Sequence, residues 1–156
     1  MKRIIALSCL CALTLGCQKI EPRSGTWIIA NDEVLEDTCQ IPGVGPTDGE
    51  FTVFEQDDGK LIIDPEDGTD PFVCTLDDAS FDCPERLSAR ESISGFDAEV
   101  IVHGRAEGAF DDDESASGVQ HGRIECEGSD CDALAAAQGT SVPCEMSVSF
   151  EASFRE

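Results

Sequence analysis

The two histidines of this chain, His103 and His121, stand on either side of a run of four acids, Asp111-Asp112-Asp113-Glu114. If the flanking residues form an antiparallel hairpin turning on those acids, one register sets the two imidazoles directly opposite each other, roughly 5 Å apart at Cβ. Two rings at that distance can share a metal ion, with Glu99 and Glu125 two residues away on the same face. A slip of one residue would send the rings to opposite faces, and zinc sites use three or four well-placed ligands. A second oxygen-rich stretch, Asp64-Pro65-Glu66-Asp67-Gly68-Thr69-Asp70, gathers Asp64, Asp67 and Asp70 around a glycine. Calcium takes six to eight oxygens, and this loop offers several without the alternating spacing of an EF-hand. His103, His121, Asp64, Asp67 and Asp70 are the metal-ligand candidates. No cofactor is required by the sequence, and calcium is the one ion worth testing.

Signals for catalysis are missing. No serine sits in Gly-x-Ser-x-Gly, no glycine loop is built for phosphate, and catalytic carboxylates cannot be singled out among 33 acids. The expectation is a protein that is not an enzyme. Cys39, Cys74, Cys83, Cys126, Cys131 and Cys144 form an even set with no C-x-x-C pair. In an exported domain they read as three disulfides, not zinc ligands or thiolate nucleophiles.

The elements that position these residues are strands. Cys144 to Phe154 alternates strictly, with Met146, Val148, Phe150, Ala152 and Phe154 on one face and Glu145, Ser147, Ser149, Glu151 and Ser153 on the other. A first strand covers Gly25–Val34. Glu50–Glu55 and Lys60–Asp64 flank an Asp-Gly hairpin cue, and Phe72–Leu76 and Ser80–Cys83 make a second hairpin. Arg86–Ser94 is a poorly patterned strand at best. Ala98–Phe110 and Ala116–Cys126 form the histidine hairpin, with Val100, Val102 and Ala106 facing Gly118, Gly122 and Ile124 on the core side. That core side is short of side-chain volume, so either aromatic residues pack down onto it or it borders a cavity. Only Asp132–Gln138 reads as a helix. The fold class is therefore all-β: a single antiparallel meander of seven or eight strands, closed as an up-and-down barrel or packed as a sandwich.

Ser24-Gly25-Thr26-Trp27 is similar to the Gly-x-Trp that opens lipocalins and related up-and-down barrels. The resemblance places Trp27 as a core aromatic near the barrel floor and allows a small apolar ligand inside. If the barrel closes, the first and last strands are neighbours, which predicts Cys39–Cys144. Cys74–Cys83 would cross-link the second hairpin and Cys126–Cys131 a tight loop, one scheme among the 15 that six cysteines allow.

Lys2 and Arg3, the 12-residue apolar run Ile4–Leu15 and Gly16 have the order of a secretory signal. The run is too short for a spanning helix, which needs about 20 residues. Leu13-Thr14-Leu15-Gly16-Cys17 resembles the lipobox of bacterial lipoproteins. That resemblance implies cleavage after residue 16, acyl chains such as palmitate on Cys17, and a tether over 17–24 leading to a domain over 25–156. Gln18 implies the outer membrane of the cell envelope. Cleavage would leave eight basic residues against 33 acidic, a net charge of −25. Such a chain repels nucleic acid and meets the membrane through its lipid. The leading expectation is a structural or partner-binding envelope lipoprotein. The alternatives are a lipocalin-like carrier of a small apolar ligand and a calcium-dependent surface module.

Overall fold

In a computed structural model, which describes residues 20–41, 48–56, 59–66 and 68–156, each strand pairs with its neighbours in sequence. The signal segment, Cys17 and Asp67 lie outside the described residues. The strands are β1 (Gly25–Asp37), β2 (Gly49–Gln56), β3 (Lys60–Asp64), β4 (Phe72–Asp77), β5 (Ser80–Ser92), β6 (Glu99–Phe110), β7 (Ser115–Glu127) and β8 (Cys144–Phe154). One helix, α1 (Cys131–Gln138), lies between β7 and β8 and ends on Gly139, which adopts the left-handed conformation at φ 71°. All pairings are antiparallel, and β1 pairs with β8, so the sheet is a closed eight-stranded barrel and not a sandwich.

Closure joins Trp27 to Phe154 at one end of the β1–β8 ladder and Asp37 to Met146 at the other. Just beyond the ladder, Cys39 is bonded to Cys144, with their Cα atoms 4.9 Å apart. Cys74–Cys83 links β4 to β5, and Cys126–Cys131 ties the end of β7 to α1. All three bridges are those the barrel topology predicts, since each joins residues that the meander already makes adjacent.

The strands are of two lengths. β2, β3 and β4 have 8, 5 and 6 residues, whereas β1, β5, β6, β7 and β8 have 11 to 13. Two apolar clusters result. The larger fills the closed part around the fully buried Trp27, Val53 and Leu61. The smaller, with Ile124 and Met146 beside the Cys39–Cys144 bridge, belongs to the long strands.

The poorly patterned stretch after Cys83 is a full continuation of β5, which runs 13 residues to Ser92. Its register against β6 shifts between Cys83 and Arg86 and again between Leu87 and Ala89. Pro84 stands in the first shift, where a residue without an N–H is tolerated. Each shift resets the alternation, which hides the strand from a period-two reading.

The histidine hairpin needs a correction of register. Phe110 pairs with Ala116, so His103 opposes Arg123 and Arg105 opposes His121. The displacement from the expected pairing is two residues, which changes partners and keeps faces. Its cause is local. Asp112 Oδ1 accepts hydrogen bonds from Glu114 N and Ser115 Oγ, and Asp111 N donates to the Ser115 carbonyl, so the turn takes in residues as far as Ser115.

The volume-poor inner face of this hairpin is divided between the two expected outcomes. Gly108 and Gly118 are paired, and a Cβ on Gly118 would overlap the Glu107 carbonyl and come within 2.8 Å of Phe150 Cζ. On Gly108 it would lie 2.7 Å from Phe81 Cζ. The missing Cβ atoms leave room for the tips of the Phe81 and Phe150 rings against the backbone. Gly104 and Ala106, further along β6, border open space.

The closing disulfide spans 105 residues and the α1 disulfide only 5. Replacing Cys39 and Cys144 together by alanine should cost about 5 kcal/mol, against about 2 for Cys126 and Cys131, from the loop entropy each restores to the unfolded chain. Urea unfolding of the oxidised proteins measures both; equal losses would contradict the assignment of Cys39–Cys144 as the dominant clamp.

Candidate functional site

Period-two alternation sends one face of every strand into the barrel, and there the side chains grade from apolar to polar. The floor is aromatic. Trp27 meets Phe110 edge-on at 5.7 Å and Phe154 at 6.1 Å, and Phe81 lies 5.3 Å from Phe110. Trp27 Nε1 donates to the Arg23 carbonyl at 2.9 Å, so the ring is buried with its one donor satisfied. Above this floor is a cavity of about 380 Å³, walled by Ile29, Phe51, Ile63, Phe72 and Ala106. It opens where the short strands stop, beside Gly49 at the start of β2 and Pro65 just past β3. Strand shortness thus makes the mouth, and small residues on β6 make the room.

Polar groups enter the lining on the long strands. Past the Pro84 shift, Arg86 pairs with Gly104, an inward position, and Ser88 follows two residues later on the same side. Ser88 Oγ occupies space 2.7 Å from where a Gly104 Cβ would stand. The Arg86 guanidinium lies 3.9 Å over the Phe72 ring, and its Nη2 donates to Thr69 Oγ1 at 3.1 Å. On β7, Gln120 faces inward, and its Nε2 donates to Asn31 Oδ1 at 3.5 Å. Glu50, Arg105 and His121 also border the cavity, from outward positions between inward neighbours. Glu50 pairs with Arg155, Arg105 with Glu107 and with Asp82 at 3.7 Å, and His121 Nε2 is 3.5 Å from Glu107 Oε1. Among the lining residues, Arg86 is the charged group on an inward strand position.

His103 and His121 share the outer face of β6–β7 as neighbours on a diagonal, within a lattice of ion pairs. His103 Nε2 is 3.4 Å from Glu125 Oε2, and its Nδ1 is 3.8 Å from Glu85 Oε1. Arg123 lies between those two carboxylates, 2.6 Å from Glu85 Oε1 and bonded to Glu125. Each imidazole therefore has a carboxylate, and arginines occupy the space between that a shared cation would need. Asp64, at the end of β3, accepts a hydrogen bond from Glu66 N. Asp70 falls in the loop before β4. Among the described residues, no group of three or more His, Cys, Asp or Glu is arranged to hold a metal ion.

Arg86, Ser88 and Gln120 were not singled out by the sequence. The one available signal is Pro84, a strand breaker after which the inward positions must be recounted. No protein-family model matches the chain, and no curated protein or solved structure does either.

Glu85 is held below the usual carboxylate range, chiefly by its hydrogen bonds from Arg123, whose own pKa is raised by the same contact. Asp97 is lowered by Ser129 Oγ and N, and Asp112 by Ser115 Oγ and Glu114 N. Depressed carboxylates stabilise the fold above their ordinary pKa, and that contribution disappears as pH falls through the folded value. Arg123→Gln should return the Glu85 midpoint to the ordinary range and leave Asp97 where it is. Side-chain NMR titration checks this; an unmoved Glu85 would remove Arg123 as the cause.

Proposed function

We propose that this protein is a non-enzymatic envelope lipoprotein that carries a small apolar ligand inside its barrel. The observation that carries the reading is the cavity of about 380 Å³ on an aromatic floor, within the size range of small-molecule sites. The inner face of β6 argues the same way, since Ala106 borders the cavity with no larger side chain to fill it. Acyl chains on Cys17, each buried methylene contributing about 0.8 kcal/mol, would hold the carrier at the outer membrane through a short tether.

A partner-binding role has one observation of its own. Phe54, Ile62 and Val73 pair in a row across β2, β3 and β4 on the outer face, with Phe54 48% and Val73 49% exposed. Three apolar side chains make a small patch, less extensive than the interior site. A calcium-dependent module has only the acidic composition behind it.

Trp27 is the only tryptophan in the chain and lies under the cavity, so its fluorescence reports on occupancy. Titration of the exported, oxidised chain with 1-decanol should give a saturable change. Ala106→Phe, which fills the cavity, should weaken binding at least tenfold while the melting temperature holds or rises. No saturable response, or unaltered binding by Ala106→Phe, would contradict the carrier reading.

A further inference from the structure

We infer that the barrel stands on its floor against the anchoring membrane with the cavity mouth turned away, so that ligand is exchanged on the side opposite the lipid anchor. The inference rests on the reading of a lipid-anchored carrier and adds its orientation. Three observations lead to it.

The first is topological. In a closed meander the connections alternate between the two ends. The approach to β1, the turns β2–β3, β4–β5 and β6–β7, and the end of β8 share one end. Backbone hydrogen bonds lace that end together: Phe110 N donates to the Ala79 carbonyl, Phe154 N to that of Glu114 and Leu76 N to that of Gly59, each at 2.8 Å. This is the end that the aromatic floor closes. Gly49 and Pro65, beside which the cavity opens, belong to connections at the other end.

The second is the path of the chain into β1. The expected tether covers residues 17–24, but from Ile20 onward the chain is part of the floor. Ile20 packs against the larger apolar cluster, and Pro22 is buried. Arg23 N donates to the Asp113 carbonyl at 2.9 Å, and the Arg23 carbonyl accepts from Trp27 Nε1. The Arg23 guanidinium pairs with Glu114 and lies 4.4 Å over the Phe154 ring. Gly25 follows at φ 135°, where a Cβ would come within 3.1 Å of Phe154 Cε2, so the chain enters β1 pressed against that ring. The result is a strap that fastens the chain before β1 to the β6–β7 turn and the end of β8.

The third is reach. Three peptide units separate Cys17 from Ile20, which span at most about 11 Å. From its floor turn to Gly49, β2 has 8 residues. At about 3.3 Å each and a tilt of about 40°, that is about 20 Å of height. An acylated Cys17 therefore cannot climb to the mouth, but it can set the floor on a bilayer. Charge selects neither end, because acids stand at both: Asp77, Asp112 and Glu114 at the floor, and Asp70, Asp97 and Asp130 at the mouth. The covalent path decides. Ligand then enters through water or from a partner at the mouth, not from the leaflet that holds the anchor.

The test uses the full acylated chain in phosphatidylcholine vesicles that carry a lipid with a dansyl headgroup, an energy acceptor for tryptophan. Intact mass first establishes acyl chains on Cys17. Trp27, at the floor, should transfer energy severalfold more efficiently than a tryptophan at the mouth end, placed by Phe96→Trp together with Trp27→Phe. Phe96 is 51% exposed in the β5–β6 loop. Inserting about ten Gly and Ser residues between Lys19 and Ile20 should leave the strap seated and release the barrel from the surface, so that transfer from Trp27 falls. Should Trp27→Phe fail to fold, the unmodified and lengthened chains decide by themselves. Equal or greater transfer from position 96, or transfer from Trp27 that survives the insertion, overturns the orientation and leaves the lipoprotein reading standing. A chain without acyl groups on Cys17 overturns the lipoprotein reading and this inference together. The 1-decanol titration tests the carrier reading independently of both.

Discussion

Closure of β1 on β8 is the constraint on which the rest of the molecule depends. A meander of eight strands has two edges, and pairing the first strand with the last removes both. That pairing is the least local in the chain, so its loop-closure entropy is the largest any contact here must overcome. The Cys39–Cys144 bond sits at the end of this ladder, where it offsets that entropy most. The other two bridges secure neighbours, a hairpin and a helix start.

Once the ring is closed, strand length decides what it encloses. Three short strands end early and five long ones continue. The fully closed part is filled by Trp27 and its phenylalanine neighbours, and the long strands are packed by a second cluster around Met146 and Ile124. Between floor and rim, β6 and β7 contribute glycine and alanine where larger residues would close the space. The paired glycines Gly108 and Gly118 bring Phe81 and Phe150 into the floor, while Gly104 and Ala106 border the cavity. One hairpin thus supplies both the packed and the open part of the interior. Its outer face is a separate structure, a lattice in which Arg105 and Arg123 pair with surrounding carboxylates and neutralise part of a strongly acidic surface.

Much of this was legible before any coordinates. Strict alternation in Cys144–Phe154 and the hairpin turns made an all-β meander, and the need to hide its edges left two solutions, a closed barrel or a sandwich. Cys74–Cys83 was readable as a hairpin cross-link, whereas Cys39–Cys144 followed only if the barrel closed, in one scheme among the 15 that six cysteines allow. The histidine register was misjudged because the Asp112 side chain widens the turn at the tip, a local hydrogen bond that alternation does not reveal. The error was an even number of residues, so inward and outward faces survived it. The interior polar site was hidden for a different reason. Arg86 follows a register shift at Pro84 and Ser88 lies within a second one, and no periodic template places them inside.

The account stands on an interior built to be occupied. Its most direct test is a native mass spectrum of the chain exported to an oxidising compartment and purified without detergent exchange or unfolding. The account predicts a small apolar non-covalent adduct that is lost on unfolding. A bare polypeptide that also stays bare when 1-decanol is supplied would contradict it.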